Sequence, residues 1–88
     1  MNVFVVVGHQ GLNELGAAIR EHYTGQHYVL TPATWFVADN ITSGEVSAKL
    51  GLENGKIGAQ GVVVTVTTYA GFAPRDLWEW IKSKVEAK

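Results

Sequence analysis

The chain has 88 residues, of which 47% are hydrophobic, a formal net charge of −1 and no cysteine. Those values suit one small domain with a proper core and argue against disorder. They exclude disulfides, thiolate metal sites and a cysteine nucleophile, and they lack the basic excess on which phosphate contacts depend.

Asn2 to Val7 reads as the first strand. Val3-Phe4-Val5-Val6-Val7 is apolar at odd and even positions alike, and strand side chains alternate between faces. Such a strand needs cover on both sides and belongs in the middle of a sheet. The run is too short for a signal sequence or a membrane span, so the expectation is a cytoplasmic protein with no membrane partner. Gly8-His9-Gln10-Gly11 reads as a tight turn into a helix amino terminus, where free amides suit an anion. His9 and Gln10 are therefore candidate binding residues, held on a loop by a rigid strand. Leu12, Leu15, Ile19 and Tyr23 recur at spacings of three and four, one helical stripe that ends at Thr24-Gly25.

Gln26 to Leu30 and Ala33 to Ala38 are two extended runs around Thr31-Pro32, rich in aromatic and β-branched residues. They predict an antiparallel hairpin or a bulged bend. Thr42 and Glu45 form a capping box, which predicts a short helix from Ser43 to Leu50. Gly51 to Gly61 holds four glycines and is the expected mobile loop. Val62 to Thr67 is the last strand, with Val62, Val64 and Val66 on one face and Val63, Thr65 and Thr67 on the other, which suits a half-covered position. Pro74 suits the first turn of a final helix with the stripe Leu77, Trp78, Ile81 and Val85. Trp80 points about 120° away from the centre of that stripe.

The order strand, helix, strand, strand, helix, strand, helix predicts an α+β fold. Its first six elements match a ferredoxin-like βαββαβ sandwich, here with an additional C-terminal helix, as one domain over residues 1–88. Right-handed crossovers place the first and third strands in the centre. Two helices cover only one face of such a sheet. Either the third helix or a second copy must cover the other, and a homodimer is the expectation.

Ala33-Thr34-Trp35-Phe36-Val37, then Thr42-Ser43 opening a helix with Glu45 and Leu50, then the valine strand and Leu77-Trp78-Glu79-Trp80-Ile81-Lys82 resemble a family of small SinR-like proteins. These are distant relatives of the CRISPR-associated spacer-acquisition subunit and of the VapD-like virulence-associated proteins. The resemblance spans Tyr28 to Lys82 and implies a ferredoxin-like homodimer, in a toxin–antitoxin or mobile-element context. Some of those relatives are metal-dependent nucleases with an aspartate at the end of the first strand. Gly8 and His9 stand there in this chain, and neither supplies the carboxylate that a hard divalent cation needs.

The residues offer no catalytic constellation, metal site or cofactor site. His22 and His27 lack the further ligands that zinc requires. Thr65, Thr67, Thr68 and Tyr69 have no base beside them in sequence and read as edge-strand surface. Trp35 reads as core, whereas Trp80, off the stripe, suits a subunit interface or a base-stacking contact. Two readings stand: a non-catalytic homodimeric interaction or regulatory module, and a nucleic-acid-binding protein or degenerate nuclease working through His9.

Overall fold

The computed structural model describes residues 1–53, 55 and 57–86. Along the chain it forms β1 (Asn2–Gln10), α1 (Leu12–His22), β2 (His27–Thr31), β3 (Thr34–Asp39), α2 (Ser43–Leu50), β4 (Gln60–Thr65) and α3 (Arg75–Glu86). The fold is α+β, with one four-stranded sheet in the order β2-β3-β1-β4 and every neighbouring pair antiparallel. β1 and β3 are central, where the doubly apolar first strand belongs. None of the described helices is long and apolar enough to cross a membrane.

One face of the sheet presents Phe4, Val6, Trp35 and Val37 to α1 and α2. Leu15, Ala18 and Ile19 from α1 and Val46 and Leu50 from α2 complete that cluster. Burying side chains of this size stabilises by about 1.5–3 kcal/mol each, and they dominate the fold. Thr42 caps α2 as its spacing predicts: its hydroxyl accepts from the Glu45 amide at 3.2 Å, and Glu45 Oε1 accepts from the Thr42 amide at 3.1 Å.

The opposite face is covered in part by α3. Alternation along the strands turns Val3, Val5, Val7, Phe36 and Ala38 toward this side. Leu77 and Ile81 are buried, as are Val3 and Ala38. The apolar stripe of α3 thus docks on the sheet, while Trp78 is only half-buried and Val85 is exposed.

β1 and β4 depart furthest from the sequence expectation. β1 does not stop at Val7; it continues through Gly8, His9 and Gln10, and its register against β4 shifts between Gly8 and Gln10. β4 begins at Gln60, inside the glycine-rich stretch, and ends at Thr65. Of the loop expected to be mobile, Asn54 and Lys56 lie outside the described residues.

Candidate functional site

The β4 side of the α3 face is where the fold leaves work undone. Val7 pairs with Val62 and Val5 with Val64 across β1 and β4, so these valines form one cross-strand patch. Val7 is 45% exposed, Val64 47% and Val62 59%. Beside them, α3 and the segment leading into it shape a groove of about 410 Å3, whose lining includes Val5, Phe36, Leu77, Trp78 and Ile81. Tyr69 stacks on Trp78 at its rim, with ring centroids 5.8 Å apart and planes 18° apart. Phe72, also on the rim, is fully exposed. The apolar side chains of Val7, Val62 and Val64 are left open side by side on one face of a small domain.

His9 and Gln10 sit at the opposite end of β1 from Asn2. His9 is the extra residue at the register shift, and Gln10 pairs with Gln60 of β4. Both are exposed. The next residue, Gly11, caps α1 in the left-handed conformation (φ 66°) without a side-chain hydrogen bond. A Cβ there would lie 2.5 Å from the Gly58 carbonyl oxygen and 2.8 Å from Ala59 Cα, so only glycine fits. The structure gives His9 and Gln10 a fixed mount at the end of a paired strand.

Trp80 lies elsewhere. Its ring is half-buried, 6.2 Å from the Tyr28 ring of β2 and tilted by 52°, with Lys84 Nζ 5.8 Å from its centroid. It therefore secures α3 to the β2 edge, while His9 and Gln10 belong to the β4 side. The three candidate binding residues do not converge on one site.

A connected polar cluster is built around Asp39, at the end of β3. Its Oδ2 accepts from the Tyr23 hydroxyl at 2.9 Å and from Lys49 Nζ at 3.1 Å, and its Oδ1 accepts from the Asn40 amide at 2.7 Å. Lys49 also stands 4.6 Å from the centre of the Tyr23 ring. The cluster ties α1, β3 and α2 together. His27 Nδ1 donates to the Tyr23 carbonyl at 2.8 Å, so His27 closes the α1 terminus. Among the described residues no group of three or more histidines and carboxylates is placed to hold a metal ion.

Sequence reasoning named Val62 and Val64 as one apolar face but gave no sign that this face is the uncovered one. The pattern points the other way: the mixed face of Val63 and Thr65 is the one turned to the main core, where Val63 packs, and the face of Val62 and Val64 is the open one. No protein-family model matches the chain, and no curated protein sequence matches it.

Proposed function

We propose that this chain is a non-catalytic interaction or regulatory module of ferredoxin-like, SinR-like type that works as a homodimer. The sheet order β2-β3-β1-β4 with two helices on one face supports the ferredoxin-like reading. The observation that carries the dimer is the open patch of Val7, Val62 and Val64, side by side on adjacent strands at the β4 edge. A polar cluster whose hydrogen bonds tie α1, β3 and α2 together has a structural role, which favours binding elsewhere over chemistry there.

Sedimentation over a concentration series tests the dimer. A mass approaching twice the 9.5 kDa of the chain is expected as concentration rises. A 9.5 kDa species throughout the series would overturn it.

A further inference from the structure

β4 ends the sheet, with β1 on one side and no described strand on the other. In an antiparallel strand the N–H and C=O of one residue point to the same side, and that side alternates along the chain. The Val66 amide donates to the Val3 carbonyl at 2.8 Å, which fixes the phase. Val62 and Val64 therefore turn their backbone groups toward β1, and Gly61, Val63 and Thr65 turn theirs outward. Among the described residues nothing donates to or accepts from those outward groups.

Edge strands are ordinarily blunted by a charge, a proline or a bulge. The β2 edge has such devices: its register slips between Val29 and Thr31, Pro32 follows it, and Trp80 sits against Tyr28. β4 reads Gln-Gly-Val-Val-Val-Thr, with neither charge nor proline, and its pairing is regular from Gly61 to Thr65.

We infer that a second copy of this chain occupies the β4 edge, its own β4 running antiparallel about a two-fold axis beside Val63. The inference rests on the dimeric reading above and gives that dimer its surface. In this register Gly61 lies opposite the second copy's Thr65, and the two Val63 residues lie opposite each other. All the outward groups are then paired, in about six hydrogen bonds. Val62 meets the second copy's Val64 as a non-hydrogen-bonded pair, which brings the side chains closer, on the face where both are exposed. Another protein's strand has the same backbone groups to offer, but the self-pairing also matches valine to valine with no charge opposed to its copy. Because the β2 edge is blunted, the two-fold closes at two copies and does not propagate.

At one hydrogen bond per 100–200 Å2, about six bonds correspond to about 600–1,200 Å2 of interface. That is the low end for specific complexes, so the dimer forms and dissociates with concentration. The test combines sedimentation with amide hydrogen exchange by NMR, on the full chain at low micromolar and near-millimolar concentration. The amides of Val62 and Val64 exchange slowly in both samples. Those of Gly61, Val63 and Thr65 exchange about tenfold more slowly in the concentrated sample, together with the doubling of mass. A doubled mass with those three amides still exchanging freely overturns the β4 edge but leaves the dimer standing. An unchanged chain mass in both samples overturns both. The Val62→Lys, Val64→Lys double variant sets lysine against lysine across the two-fold, at positions exposed in the single chain. It is expected to remain a folded monomer without the concentration-dependent protection; a double variant that stays dimeric counts against the proposal.

Discussion

Tyr23 shows how much one hydroxyl can decide in a domain this small. Its side chain is almost wholly buried, and the hydroxyl reaches Asp39. Burial pushes the phenol above its ordinary value of 10.0, and the hydrogen bond and negative charge of Asp39 push it further in the same direction. Burial also pushes the Asp39 carboxyl up, but the hydrogen bonds from Lys49, the Asn40 amide and Tyr23, with the Lys49 charge, outweigh it and hold the group below 3.8. The two shifts act at opposite ends of the pH scale. The raised phenol contributes stability that is complete below pH 10 and lost as pH rises, because the unfolded chain releases its proton first. The lowered carboxyl contributes stability that is present above the ordinary carboxylate value and lost as pH falls through the folded value. Tyr23→Phe is expected to cost about 1 kcal/mol near neutrality, leaving Asp39 with one donor fewer. The same change makes stability less sensitive to alkali, as urea unfolding of both proteins at about pH 8 and about pH 11 will show. Parallel losses in wild type and variant would assign the alkaline sensitivity to other groups.

α3 is the element whose role was half legible. Its stripe is plain in the sequence, since Leu77 and Ile81 repeat at helical spacing and both are buried. Whether that stripe meets the sheet or a second copy is a tertiary question that periodicity does not answer. Ile81 is 1% exposed and Val85 51%, so the contact is strong in the middle of the helix and absent near its end. Ile81→Ala is expected to destabilise by about 2–4 kcal/mol through the cavity it leaves under α3. Val85→Ala should stay within about 0.5 kcal/mol. Equal losses in chemical denaturation would mean that α3 is not seated on the sheet as described. The end of β1 was misread for a different reason. Gly8 and Gly11 punctuate the sequence like a turn, yet Gly8 pairs with Gly61 inside the ladder. A Cβ on Gly8 would lie 2.6 Å from Leu12 Cδ2 and 3.2 Å from Leu15 Cδ2. One on Gly61 would lie 3.4 Å from that same Leu15 methyl. The two glycines are strand residues that leave room for the leucines of α1, and no local rule separates that use from a turn. Trp80 was legible as lying off the stripe, but its partner Tyr28 is remote in sequence, so its burial was not.

At the scale of the whole molecule, several of the described charges have structural partners. Asp39 is held by Lys49, Tyr23 and the Asn40 amide; Glu45 is engaged in the α2 cap; Glu79 lies 3.4 Å from Arg75 on the exposed side of α3. Glu14 and Asp76 each lie in the first turn of a helix, where negative charge complements the dipole. A phosphodiesterase needs oxygen ligands converging on one or two cations and a positioned nucleophile. The described carboxylates and histidines form no group of three or more that could hold a cation, and His9 is the extra residue at the β1 register shift. Purified protein is therefore expected to show no magnesium- or manganese-dependent cleavage of RNA or DNA, and His9→Ala and Asp39→Ala no change from that baseline. The Asp39 variant has a structural consequence of its own: Tyr23 and Lys49 lose their shared acceptor, and the fold weakens. Thermal unfolding must accompany the assay, because a signal lost with the fold says nothing about a site. Cleavage that co-purifies with the chain, and disappears in a His9→Ala protein of unaltered melting temperature, would place a nuclease centre at the end of β1 and displace the interaction module as the reading of this fold.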